Sequence, residues 1–149
     1  MISHERLDVY QCAIKFLSIA LRLLDEIPRG FSPLADQLKR AAMGMPLQIA
    51  EGAGKRSLAD CRRFFDYARG SAMECSAALD VMRECNFGEK EHIETGKALL
   101  DRIAAMLTKL AGRGISPTSP PALNDCVHAT DWASESVCAP ARVVDSPIK

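Results

Sequence analysis

The chain has 149 residues, a length that suits one domain with a real core. Nineteen Lys and Arg are matched by nineteen Asp and Glu, so no global charge announces a nucleic-acid partner. The six cysteines (Cys12, Cys61, Cys75, Cys85, Cys126 and Cys138) include no C-x-x-C pair, which excludes a zinc knuckle and a thioredoxin-like motif.

The first predicted helix runs from about Leu7 to Glu26. Tyr10, Ile14, Leu17, Leu21 and Leu24 step by four and three residues, the expected seam of an antiparallel bundle. A second apolar stripe (Val9, Ala13, Phe16, Ala20, Leu23, Ile27) lies beside it. Between Leu7 and Ile27, 14 of 21 residues are apolar, more width than one small core needs. The expectation is that this helix also faces another subunit. Its most apolar part, Cys12 to Leu24, is interrupted by Lys15 and Arg22 and is too short to span a bilayer. Met1 to Tyr10 is mostly polar and has no signal-like apolar run, so a cytoplasmic protein with reduced thiols and no membrane partner is expected.

The second helix opens with Ser32 as cap and Pro33 at its first position. It carries Leu34, Leu38, Ala41, Met45 and Ile49 on one face. Pro46 lacks an N–H and predicts a kink, and Gly52 and Gly54 are expected to stop the helix. In the third, Ser57 and Asp60 have capping-box spacing, and Cys61, Phe65, Ala68, Ala72, Cys75, Leu79 and Met82 keep an unbroken rhythm. Asn86 to Gly88 ends it. The fourth helix carries Ile93, Leu100, Ile103, Leu107 and Leu110 and ends near Gly112 and Gly114. Short connections predict antiparallel neighbours. The fold class is therefore all-α, an antiparallel up-down four-helix bundle over residues 1–114. Five of the eight prolines fall in residues 115–149, read as a mostly disordered Pro/Ser-rich tail; a tail without a specific role is the favoured reading, and a weak docking motif of Trp132, Val143 and Val144 is the alternative.

The chemistry-bearing patterns are few. Residues 52 to 57, GAGKRS, fail as a nucleotide-binding P-loop: Ile49 stands where its first glycine belongs, Arg56 where its Ser or Thr belongs, and a helix precedes the segment. Lys55 and Arg56 beside the start of the third helix leave two readings open, a phosphate-holding turn or an ordinary polar one. Glu89 and His92 form a single Glu-x-x-His pair with no second, and Glu51 and Glu74 are the acids placed to face inward. No di-metal centre, cofactor or nucleophilic triad is expected, and the reading is of a non-enzyme. Residues 37 to 69 hold seven basic residues (Lys39, Arg40, Lys55, Arg56, Arg62, Arg63, Arg69) against three acids. On a hairpin of helices two and three, Lys55, Arg56, Arg62 and Arg63 crowd the turn, and Arg40 and Arg69 lie about 20 Å along the bundle. The two patches suit an RNA or DNA backbone; solvated faces with local pairs such as Arg62 with Asp66 are the competing reading. Phe64 and Tyr67 are the nearest aromatics, their burial left open, so shape and phosphate are expected to outweigh base sequence.

"KRAAMGMPLQIAEGAGKRS" (Lys39 to Ser57) resembles the signature of the four-helix-bundle proteins encoded in intervening sequences of bacterial 23S ribosomal RNA genes, approximately R-A-A-x-S-I-P-x-N-I-A-E-G-x-G-R-x-S. Arg40, Ala41, Ala42, Pro46, Ile49, Ala50, Glu51, Gly52, Gly54 and Ser57 match. "RRFFDYARGSAMEC" is similar to a second block of that family through Phe64, Ala68, Gly70, Ser71 and Glu74, and "LDVYQCAIKF" to its usual start. Gly44 stands for the usual Ser, Met45 for Ile, Gln48 for Asn, Lys55 for Arg and Tyr10 for Trp. The resemblance implies a helical bundle without a recognised catalytic site, assembled as a ring-like homo-oligomer. A related group, the accessory proteins of diversity-generating retroelements, implies a pentamer that binds nucleic acid and a reverse transcriptase. Glu51 is expected to meet a cap or an arginine near the turn, such as Arg62.

Overall fold

The computed structural model describes residues 3–112; the tail expected over 115–149 lies outside the described residues. Four helices succeed one another: α1 (Asp8–Asp25), α2 (Ser32–Gly54), α3 (Leu58–Glu84) and α4 (Lys90–Leu110). Short 3₁₀ turns occupy Ser3–Arg6 and Arg29–Phe31. No strand occurs among the described residues. Each helix packs on its neighbours in the chain, and α4 closes the bundle against α1, which is the up-down arrangement that short connections dictate.

The core is wholly apolar, with no buried polar or charged residue among those described. Phe16 and Leu23 of α1, Leu38, Met45 and Ile49 of α2, Phe65, Leu79 and Met82 of α3, and Ile103 and Leu107 of α4 are sealed from solvent. The apolar stripes read for α2, α3 and α4 are therefore the core-facing ones. For α1 the order is reversed. Val9, Ala13, Phe16, Ala20 and Leu23 face the core, whereas Ile14 and Leu21 of the expected seam are 42% and 49% exposed. The second stripe wins because it carries the small residues that let helices approach, with Phe16 as the one bulky filler between them.

Two glycines act as notches. A Cβ on Gly52 would lie 2.9 Å from Phe65 Cε1 and 3.2 Å from Phe64 Cβ, so its role is close approach of α3 and not termination. Gly52 is buried inside α2, which runs on to Gly54 and past Pro46 without interruption. A Cβ on Gly96 of α4 would lie 3.0 Å from Leu79 Cδ1 and 3.5 Å from Phe16 Cε2. The residues that do take left-handed backbone are Asn86 (φ 55°), Gly88 (φ 83°) and Gly112 (φ 76°). Asn86 ends α3 in a reciprocal pair of bonds: its N–H donates to the Arg83 carbonyl, and Phe87 N–H donates to the Met82 carbonyl. Ser57 caps α3, its Oγ accepting from Asp60 N–H at 3.4 Å. Ser32 is already the first residue of α2 and supplies no side-chain cap.

Polar bonds along both flanks of α3 fix its neighbours. On the α2 side, Ser71 Oγ donates to Gln48 Oε1 at 2.9 Å, and Gln37 Nε2 donates to Glu74 Oε2 at 2.7 Å. Gln48 is the residue that replaces the usual Asn, and it makes a cross-helix bond. On the α4 side, Lys97 Nζ donates to Asp80 Oδ2 at 2.7 Å and to Ser76 Oγ at 2.8 Å. At the pole formed by the α1–α2 and α3–α4 connections, Phe31 and Phe87 meet edge to face at 4.7 Å.

Candidate nucleic-acid interface

The opposite pole gathers the start of α1, the end of α2, the start of α3 and the end of α4. Here the chain leaves α2 through Lys55, whose extended backbone (φ −76°, ψ 143°) turns it toward α3. Lys55, Arg56 and Arg63 are exposed. Lys55 Nζ sits 4.5 Å from the centre of the Phe64 ring, and the Arg63 guanidinium 5.8 Å from it. Phe64 in turn meets Tyr67 edge to face at 5.8 Å, and Tyr67 is 52% exposed. Cations held over an aromatic face keep their charge and offer it outward, with the ring edges left for a flat partner. Tyr67 lies off the Cys61–Phe65–Ala68 stripe, and its exposure adds base stacking to phosphate contact as an available chemistry.

The seven basic residues do not form one surface. Arg62 turns to the other flank of α3: a Cβ on Gly112 would meet its Cζ at 3.0 Å, so its guanidinium lies against the carboxyl-terminal end of α4. A cation there complements the helix dipole. It is accordingly not paired with Glu51, which stays exposed. Arg69 lies seven residues on, along the same stripe as Ser76 and Asp80, and its Nε is 3.5 Å from Asp66 Oδ1. Lys39 and Arg40 lie on the solvent side of α2. Arg40 hydrogen-bonds Gln37, which leads to Glu74 on the α2 flank of α3. Arg40 and Arg69 are thus on opposite flanks of α3, and the corner set is Lys55, Arg56 and Arg63.

The helix start itself is already met by an anion. Asp60 stands in the first turn of α3 and pairs with Arg63 at 3.0 Å. That carboxylate competes with any phosphate at the N–H groups of the first turn, so an anion at this corner is met by the exposed side-chain cations and not by the helix start.

Other titratable groups are spread out. His92 Nδ1 lies 3.1 Å from Glu89 Oε2 and 3.9 Å from Glu26 Oε1. Glu51 and Glu74, expected to face inward, both face solvent. Among the described residues no three His, Cys, Asp or Glu gather as a metal site. Cys12, Cys61 and Cys75 are buried, and burial, reinforced by the Glu74 charge, pushes the Cys75 thiol up to about 12. No described helix is long and apolar enough to cross a membrane.

A second exposed feature is apolar. Met43 and Leu47 of α2 are 46% and 65% exposed. Ile14 lies eleven residues before the end of α1 and Met43 eleven after the start of α2, so the antiparallel pair brings them to one level. Ile14 and Leu21, with half-buried Tyr10 and Leu17, give α1 an exposed apolar strip, and Met43 and Leu47 add apolar surface on the adjacent α2.

Fold and surface define a small all-helical bundle with a basic, aromatic-edged pole and an apolar side. The chain belongs to the 23S rRNA-intervening sequence protein family, which it matches over residues 5–109. A comparison with curated proteins finds no match. The match spans all of α1 to α3 and stops one residue short of the end of α4, so the family is defined by the bundle and not by the tail.

Proposed function

We propose that the chain is a non-enzymatic, homo-oligomeric bundle that binds structured nucleic acid through the α2–α3 corner. The observation that carries this reading is the placement of Lys55 and Arg63 over the half-buried Phe64 ring, with exposed Tyr67 against its edge and exposed Arg56 next to Lys55 in the chain. The cations meet phosphates, and Tyr67 accepts an unpaired base from a loop or bulge. Lys39 and Arg40 extend the basic track along α2, whereas Arg62 and Arg69 contribute charge from the α4 flank. The exposed apolar surface of Ile14, Leu21, Met43 and Leu47 supports self-association, which would repeat the corner around a ring, a pentamer in the related retroelement group.

The test is fluorescence anisotropy with a labelled structured RNA and a duplex DNA of equal length over a salt series. Three phosphate contacts give a slope of log affinity on log salt of about −2 to −3 per corner. Tyr67→Ala weakens RNA by about tenfold, within the range of one lost base stack. Binding that survives Lys55→Glu with Arg63→Glu, or that ignores salt, refutes the reading. The second reading is a protein-interaction module, in which the same apolar surface holds a partner such as a reverse transcriptase. It is favoured if monodisperse protein binds neither nucleic acid at low salt while Leu47→Asp abolishes capture of that partner.

A further inference from the structure

The described chain ends at Gly112, and that end lies on the basic pole. Gly112 abuts the guanidinium of Arg62, whose neighbour Arg63 stands over Phe64. The segment beyond Gly112 therefore starts within one bundle width of Lys55, Arg56 and Tyr67, since packed helices lie about 10 Å apart. Its charge is opposite to that of the corner. Residues 114–141 contain no Lys or Arg and carry Asp125, Asp131 and Glu135, with Trp132, the one tryptophan of the chain, between the last two.

We propose that residues 123–136 of the same chain dock on the basic corner and occupy the surface that a polyanion would use. The carboxylates of Asp131 and Glu135 meet Lys55, Arg56 and Arg63. The Trp132 indole takes the place of a stacked base beside Tyr67, where the cations also favour its ring face. Length does not limit this contact. Asp125 is thirteen residue steps beyond Gly112, and at ~3.4 Å each they reach ~45 Å, well beyond the corner.

A tethered segment competes at an effective concentration on the order of 1 mM, so one with an intrinsic dissociation constant near ~0.1 mM weakens an external strand about tenfold. The nucleic-acid consequence rests on the proposed function; the docking itself does not. The segment therefore acts as a built-in competitor, displaced by strands that present many phosphates and retained against those that present few.

The experiment uses the full chain, because Trp132 is its only tryptophan and reports docking without any nucleic acid. Acrylamide quenching of Trp132 is measured at low salt, at high salt and in the charge-reversed corner Lys55→Glu/Arg56→Glu/Arg63→Glu. Between low salt and ~1 M, where screening acts within ~3 Å, the quenching constant is expected to rise about twofold. The reversed corner gives the high value at every salt, and Lys39→Glu/Arg40→Glu, placed along α2, keeps the low one. Asp125→Asn/Asp131→Asn/Glu135→Gln, which leaves the bundle untouched, also gives the high value and binds labelled RNA several-fold more tightly.

Low-salt quenching as high as that of a free peptide of residues 123–136, or unaffected by the reversed corner, overturns the proposal. Protection lost on dilution overturns it too, because the segment would then belong to a second molecule. Trp132 protection in a chain that binds no RNA upholds docking and refutes the nucleic-acid reading alone. RNA binding with an unprotected Trp132 does the reverse.

Discussion

Replacing Gly52 by alanine tests whether that glycine is a notch or a terminator. As a terminator near a helix end, without left-handed backbone, it would be improved by alanine, which is favoured by roughly 0.5–1 kcal/mol inside a helix. As a notch it would be damaged. The added Cβ would sit 2.9 Å from Phe65 Cε1 and 3.1 Å from Cδ1. Phe65 is fully buried and has no room to move, and the third neighbour, Phe64 Cβ at 3.2 Å, is fixed to the α3 backbone. Overpacking of this kind costs about 1–3 kcal/mol, so after the propensity gain the net loss is centred on ~1 kcal/mol, within a range of ~0–2.5 kcal/mol. For a domain of this size that lowers the melting temperature by several degrees, at ~4–8 °C per kcal/mol. Gly70→Ala is the matched control. Gly70 is exposed in the middle of α3, and a Cβ there meets nothing within 4 Å. It should stabilise by roughly 0.5–1 kcal/mol. Thermal and urea unfolding followed by circular dichroism separate the two. A Gly52→Ala protein that melts higher than the parent, as Gly70→Ala should, refutes the close-approach argument.

Three further outcomes are expected. Lys97→Met keeps the aliphatic stem but removes the ammonium bonded to Asp80 and Ser76, and should cost about 1 kcal/mol in urea unfolding with an unchanged m-value. With the tail cysteines replaced by serine, Cys85 should react with a thiol reagent in the native protein, while Cys12, Cys61 and Cys75 react only on unfolding. Because the folded thiol of Cys75 sits near 12 against a usual 9.0, its contribution to stability is complete below pH 9 and is lost as pH rises toward 12; Cys75→Ala should flatten that alkaline decline. Met43→Asp with Leu47→Asp should reduce the sedimenting mass while leaving helicity intact, and an unchanged mass would remove the α1–α2 apolar face as a self-association surface.

The helices are legible in the sequence because their periodic apolar residues are long runs bounded by strong signals. The seven-residue set from Cys61 to Met82 is entirely buried, as its spacing requires. The side of α1 that faces the core is not legible in the same way. Two adjacent stripes both have the right period, and the choice between them depends on which small residues α2 and α4 approach. Gly52 is ambiguous for a related reason: spacing near a helix end does not distinguish a glycine that stops a chain from one that admits a neighbour. The basic corner is half legible. Charge counting finds Lys55, Arg56 and Arg63, but sorting them from Arg62 and Arg69 requires the rotation of α3 relative to α4. Tyr67 could be placed by the same rotation, since it falls outside the Cys61–Phe65–Ala68 stripe.

The notches at Gly52 and Gly96 have a consequence for assembly of the bundle. An interior of Leu, Ile, Met and Ala would tolerate one helix sliding along another by a turn, about 5.4 Å, with similar area covered. The notches forbid it. Phe65 fits opposite Gly52, and Leu79 and Phe16 fit opposite Gly96, at one axial setting only. They lie toward opposite poles and act on different pairs, like pins in separate rules: Gly52 sets α2 against α3, and Gly96 sets α4 against α3 and α1. Sequence drift along the outside of the bundle is then free to change partners and charge without altering the alignment of the four rods.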